Sequence, residues 1–276
     1  MLCQWQISFA AMSFEHILIL ALIQGVTEFI PVSSSGHLNL LHALTDRPDQ
    51  GVVMDVALHG GTLLAVMAYF RADVARLILG GLDILRLRPS QNRDFATLLL
   101  LASLPVLLAG AVLMLTGAID RLRHLEVVAW ASIIFAVPLW LADKKGAANK
   151  DMTALKARPA LLVGGAQMLA LIPGASRAGV TIMAARALGF DRQAAARFSM
   201  LLSMPVIAAF TLAGLAELVS DDNPGNLADA GLGALLAAVF AFATIHLFLR
   251  MTARFSLTPF IIYRIALGVV LLTIIN

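Results

Sequence analysis

"TEFIPVSSSGHLNLL", residues 27–41, sets a glutamate, three serines, a glycine and a histidine inside a strongly hydrophobic part of the chain. The proline and the Ser/Gly run interrupt an apolar stretch over residues 14–44. A second stretch, residues 160–188, is interrupted in the same way by "PGASRAG", residues 173–179. A transmembrane helix needs roughly 20 apolar residues, so no half of either stretch is long enough to cross a bilayer. Each stretch is a kinked transmembrane helix or a re-entrant hairpin, two half-helices that enter and leave on one side. Polar groups among lipid are costly unless paired, and ionisable ones there mark function.

The rest of the chain says what surrounds these breaks. Of its 276 residues 60% are hydrophobic and only 13% charged, and the mean hydropathy is +0.87. A soluble domain is nearer a quarter charged, so this is an integral membrane protein, read as a single polytopic domain over residues 1–276. Low aromatic content and the lack of strand alternation argue against an outer-membrane barrel, which leaves an all-α architecture. Apolar runs over 52–70, 95–117, 125–142, 198–219, 231–249 and 257–275 predict six transmembrane helices. Within residues 71–94, "ARLILGGLDILRL" reads as an interfacial helix. A lone cysteine, Cys3, excludes an intramolecular disulfide. No Lys or Arg precedes Arg47, so no cleavable signal peptide is expected; residues 1–11 are expected to be an extension, with Met12 as the natural start.

Charge chooses between kink and hairpin, because positive residues concentrate in cytoplasmic loops. If both broken stretches are hairpins, the six spans alternate and fifteen of the twenty Lys and Arg residues fall on one side. Those fifteen lie in 71–93, 144–158, 186–197 and at Arg250 and Arg254. The other side keeps Arg47, Arg121, Arg123 and the acidic loop around Asp221 and Asp222, while Arg177 and Arg264 stay in embedded segments. One true span among the two would break this alternation. The expected fold is therefore six transmembrane helices plus two re-entrant helical hairpins in an inverted-topology repeat. Its halves run over about 12–142 and 159–276, with both termini outside.

At the first break Gln24 and Glu28 share a helix face. Pro31 should stop the first half-helix near Ile30, and Ser33, Ser34 and Ser35 can cap a second one beginning near Gly36. At the second break Ser176 can cap, Gly174 and Gly179 admit close approach, and Thr181 adds a hydroxyl one turn from Arg177. Half-helix N-termini, an arginine fork and hydroxyls describe an anion site suited to phosphate. A serine beside His37 suits nucleophilic attack on phosphorus with the histidine as base. Glu28, with Gln24, is the candidate holder of a divalent cation, Mg2+ or Ca2+, shared with substrate. Blander alternatives are close packing for the small residues, a structural Glu28–Arg177 ion pair, and a His37 that only bonds its helix. Asp55 and His59 share a face and are expected to support the site from behind or to lie at the membrane interface rather than to act catalytically, and Glu217 and Arg264 to snorkel at span ends.

"QGVTEFIPVSSSGHL" (24–38), "DVALHGGTLLAV" (55–66) and "PGASRAGVT" (173–181), in this order and spacing, resemble the signatures of the bacterial undecaprenyl-diphosphate phosphatases, also called bacitracin-resistance proteins. The resemblance runs from about Met12 to the end. It implies removal of the terminal phosphate of undecaprenyl diphosphate, regenerating the carrier lipid for cell-wall synthesis and giving bacitracin resistance. It also implies divalent-cation dependence and an active site open to the outer face of the cytoplasmic membrane. Position by position, it assigns Gln24 and Glu28 to the acidic motif, Ser34 and His37 as nucleophile and base, and Ser176, Arg177 and Thr181 to phosphate. Ser33, Ser35, Gly36 and Gly174 complete the expected phosphate-binding set. Gln24 is the neutral variant of its position, and Ala178 stands where the family has serine. Expected partners are the lipid substrate, membrane lipids and, as an open option, a second copy in a homodimer; nucleic acid is not expected. The competing class is a prenyl-phosphate transporter or flippase, since broken helices in inverted repeats also build carriers.

Overall fold

The computed structural model describes residues 12–45, 50–117, 124–219 and 226–275. The expectations placed on residues 1–11, Arg47, Arg121, Arg123, Asp221, Asp222 and the Glu217 side chain fall outside what it describes. Among the described residues the only strand-like pairing is one bridge between Lys150 and Phe190; everything else regular is helical.

Among the described residues, six helices are long and apolar enough to span a membrane. They are α3 (Gly51–Tyr69), α5 (Gln91–Leu115), α6 (Leu125–Lys145), α9 (Arg192–Val219), α10 (Leu227–Thr252) and α11 (Thr258–Ile275). Each coincides with one of the six apolar runs in the sequence. Their large side chains line the outside, as at Leu108, Val112, Leu235, Val239 and Ile262, where lipid is the natural solvent. Helix α9 is the most enclosed of the six. With no apolar driving force between helices in lipid, close contact comes from small residues. Gly61 of α3 rests against the Ala234 backbone of α10, and Gly164 against the Ala102 backbone of α5, so neither position has room for a Cβ. Helix α4 (Arg71–Leu85) packs along α5 and presents exposed Ile78, Leu79 and Leu82, as an interfacial helix would.

The two interrupted stretches give two pairs of short helices. The first pair is α1 (Phe14–Thr27) and α2 (Ser34–Leu44); the second is α7 (Ala157–Gln167), extended by a 3-10 turn over Met168–Leu171, and α8 (Arg177–Ala187). At 1.5 Å per residue α1 is only about 21 Å long, short of the roughly 30 Å hydrocarbon core. Helix α1 ends three residues before the expected Ile30, and α2 begins at Ser34, two before Gly36. The reason is the cap: Ser33 takes the N-cap position itself, with its hydroxyl accepting from Gly36 N at 3.4 Å. Ser176 caps α8 identically, accepting from Gly179 N at 3.1 Å. Both serines hold the left-handed backbone region, φ 76° and 68°. That conformation is unusual for a residue with a side chain and here is held by the cap.

Among the described residues, the ion pairs outside the breaks gather at one end of the bundle. Arg192 and Arg186 share the Asp143 carboxylate, with Arg192 Nε donating at 2.6 Å, and Arg197 donates to Asp73 at 2.6 Å. There too the chain entering α7 is bonded to the chain leaving α8. Asn149 N and Lys150 N donate to Gly189 O, and Asp191 N donates to Lys150 O.

Candidate active site

The first break carries Glu28 just past the C-terminus of α1, and the second carries Arg177 at the start of α8. Although 149 residues apart in sequence, they meet: Arg177 Nη2 donates to Glu28 Oε1 at 2.9 Å and to the Glu28 carbonyl at 3.1 Å. The other guanidinium nitrogen, Nη1, donates to the Ser199 carbonyl on α9 at 3.2 Å. Glu28 is thereby bound on every side. Its Oε2 accepts from Ser34 Oγ at 2.7 Å and Gln24 Nε2 at 3.0 Å, with His59 Nε2 at 4.0 Å.

A cavity of about 210 Å3 opens beside this cluster. Glu28, Ser33, Ser34, Ser35, Ser176 and Arg177 line it from the two breaks. His59 of α3, Gln167 of α7, and Val206, Ile207 and Phe210 of α9 close its walls. Helical geometry leaves the first-turn amides of α2 and α8 without intrahelical acceptors, so both helix starts offer partial positive charge to one small space. Six of the expected site residues therefore converge on one cavity.

The remaining expected residues are placed differently. His37 bonds groups other than Ser34. Its Nδ1 bonds the Ser33 carbonyl at 2.7 Å, and its Nε2 lies 2.6 Å from the Tyr263 hydroxyl of α11, with the rings stacked. Since a carbonyl only accepts, Nδ1 carries the proton and Nε2 accepts from tyrosine. The group that accepts from Ser34 Oγ is instead the Glu28 carboxylate. Thr181 is fully buried and bonds Ser199 Oγ at 2.7 Å, behind Arg177 rather than beside the cavity. Gly36 N and Gly179 N are occupied by the serine caps, and Gly174, at φ 91°, is pressed against the Val128 backbone. Arg264 is a clear correction. It does not snorkel but is fully buried, donating to Gly174 O at 2.9 Å and Ser132 O at 3.3 Å, with Pro31 O and Ala131 O at 3.5 Å. It sits mid-structure because both breaks present carbonyls that no helix satisfies.

Three residues around the site had a weak signal in the sequence or none. His59 was legible only as a face partner of Asp55, whose carbonyl its Nδ1 bonds at 2.8 Å. Ser199 and Gln167 had none, one serine and one amide among many.

A cation site can be tested on the donors present. Among the described residues no three His, Cys, Asp or Glu side chains cluster as metal ligands. Yet Gln24, whose Nε2 donates to Glu28 at 3.0 Å, keeps a buried acceptor, Oε1, with no partner. Hard oxygen donors of this kind suit Mg2+ or Ca2+. The chain can thus offer two ligands, Glu28 and Gln24, with the rest left to phosphate and water.

Similarity to known proteins decides the family. The model of the family described as "Bacitracin resistance protein BacA" matches residues 17–270. This chain belongs to the BacA family. Curated relatives named undecaprenyl-diphosphatase agree along nearly their whole length. The protein of Ruegeria pomeroyi is 46% identical over 271 residues, covering 95% of this chain and 99% of its own. Those of Maricaulis maris and Roseobacter denitrificans are 43% and 42% identical, each covering 95% of this chain and 98% of its own. Within the BacA family, the two signature stretches of this member are the two breaks that meet at Glu28 and Arg177.

Proposed function

We propose that this BacA-family membrane protein is an undecaprenyl-diphosphate phosphatase that hydrolyses the lipid diphosphate to undecaprenyl phosphate and inorganic phosphate. The observation that carries the reading is the contact of Ser34 Oγ with Glu28 Oε2 at 2.7 Å, beside an arginine and two helix starts that favour phosphate. The relatives named undecaprenyl-diphosphatase support it.

In the proposed mechanism the distal phosphate enters the cavity and competes with Glu28 for the Arg177 fork. That competition loosens the ion pair and leaves Glu28 more basic. Ser34 Oγ attacks the distal phosphorus in line, its proton passing to Glu28, and the bond to the bridging oxygen breaks. Undecaprenyl phosphate leaves with that oxygen. Glu28 passes its proton to that departing phosphate, and water then attacks the phosphoserine, giving a proton to the freed carboxylate, which returns it to Ser34 Oγ as inorganic phosphate departs. Arg177 and the first-turn amides of α2 and α8 stabilise charge on the equatorial oxygens. His37 and Tyr263 hold the Ser33 carbonyl and with it the N-cap. A divalent cation, when bound, neutralises diphosphate charge; Glu28 and Gln24 are the ligands this chain would lend it.

The same proposal includes the membrane arrangement. The α1–α2 and α7–α8 pairs are re-entrant hairpins, related as inverted repeats. Support comes from reciprocal packing, since α1 and α3 pack on α10 while α7 and α9 pack on α5. Pairing of Asn149 and Lys150 with Gly189 supports the second hairpin. For the first, Met12 N bonds Asp229 at the start of α10, and Leu40 packs near Leu125 and Leu272 at the same end. The basic end of the bundle faces the cytoplasm, the start of α1 and the end of α11 face out, and the cavity, in the outer halves of α3 and α9, opens to the exterior of the cytoplasmic membrane.

Release of inorganic phosphate from undecaprenyl diphosphate by the purified protein in detergent tests the activity. A carrier of the same architecture would bind the lipid and release none. Trapping phosphate on Ser34 by acid quench and mass spectrometry tests the covalent step.

A further inference from the structure

Gln167 is the last residue of α7 and a wall of the cavity, and it is fully buried. Neither end of its amide, Nε2 or Oε1, has a hydrogen-bond partner. Buried serines on the spanning helices do not behave this way, although Thr211 Oγ1 on α9 also stands without a partner. Ser103 bonds Leu99 O, Ser132 bonds Val128 O and Ser203 bonds Met200 O. Gln24 leaves one end open, but its Nε2 is committed to Glu28. Buried polar groups are nearly always satisfied, and a primary amide with both ends open is costly unless something else supplies the partners. The cavity that Gln167 walls is the one shared by Ser34, Glu28 and Arg177.

We propose that Gln167 is a substrate-binding residue whose Nε2 donates to an oxygen of the distal phosphate. The inference rests on the site proposed above. A neutral donor suits the position, because Arg177 already brings the positive charge and α8 its helix start. Gln167 approaches from α7, so it grips the phosphate from a wall that neither α2 nor α8 provides. Its Oε1 accepts from water or hydroxyl brought in with the headgroup. The open amide is thus a binding group held ready, at a cost in stability to the ligand-free protein.

That cost gives the test. Gln167→Met keeps the volume and removes the open polar atoms. In the purified full-length protein, assayed with undecaprenyl diphosphate, kcat/KM falls tenfold or more, while the melting temperature without ligand stays level or rises. Gln167→Glu keeps the shape and adds a carboxyl. Its KM, relative to wild type at each pH, rises as pH rises and the carboxylate repels phosphate. Arg177→Ala is assayed beside them. If Arg177→Ala is inactive but both Gln167 variants stay within twofold of wild-type kcat/KM, this inference is overturned and the site stands. If Arg177→Ala also keeps its activity, both fall. A Gln167→Met protein that melts lower and loses activity only with its folded fraction marks the amide as structural, and the inference is wrong.

Discussion

Arg264 Nη2 donates to the carbonyl of Gly174 at 2.9 Å, tying the last helix to the second break. The same guanidinium lies 3.5 Å from the Pro31 carbonyl of the first break. One buried cation thus clamps both loops whose serine caps face the cavity. Gly179 fits under it, since a Cβ there would meet Arg264 Nη1. Arg264→Met should strand these carbonyls at about 1–3 kcal/mol each. The variant is expected to melt well below wild type in detergent and to lose activity with its fold. Gly179→Ala should do the same more mildly.

Ser34→Ala removes the atom that Glu28 holds. Turnover should fall on the order of 10³–10⁶-fold, the range seen when a nucleophile is deleted. Melting temperature should change little, because Ser34 is partly exposed and the cap belongs to Ser33. Stopped phosphate-release kinetics checks it; near-normal turnover would move attack to water.

Arg177→Lys keeps charge but not the fork that reaches Glu28 and Ser199 together. A point charge cannot span both and then regrip a phosphate. A fall in kcat/KM on the order of 10²-fold or more is expected, as for loss of one strong transition-state donor. Steady-state kinetics with guanidinium-free buffer measures it.

Chelation should suppress activity, with Mg2+ or Ca2+ restoring it. Gln24→Ala deletes the open Oε1 beside Glu28. It should raise the cation concentration for half-maximal activity several-fold while leaving the rate at saturating cation within a small factor of wild type. A metal titration of both proteins decides this.

Gly164→Leu drives a side chain into the Ala102 backbone between α7 and α5. Overpacking of this kind costs about 1–3 kcal/mol. Lower yield of monodisperse protein is expected, with any recovered protein keeping a normal KM, since Gly164 does not line the cavity.

Much of this was readable along the chain because bilayer physics is local. A run such as 95–117 must be helical and long because no water satisfies its backbone, and α5 over Gln91–Leu115 follows. Breaks such as "PVSSSG" must end helices because proline and capping serines act on their immediate neighbours. The chain also pointed to Glu28, Ser34, His37 and Arg177 as candidate reacting groups, since few polar residues stand among so many apolar ones. Partnership was decided only in three dimensions. Nothing in the spacing gives Ser34 to Glu28 rather than His37, or sends His37 to Tyr263 across 226 residues. Arg264 read as a span-end residue because sequence does not show which carbonyls a distant loop leaves unsatisfied. Gln167 was silent for the same reason. Local propensity fixes where a helix stops, but a hydrogen bond depends on which faces of separate helices meet, and packing of the whole bundle sets that.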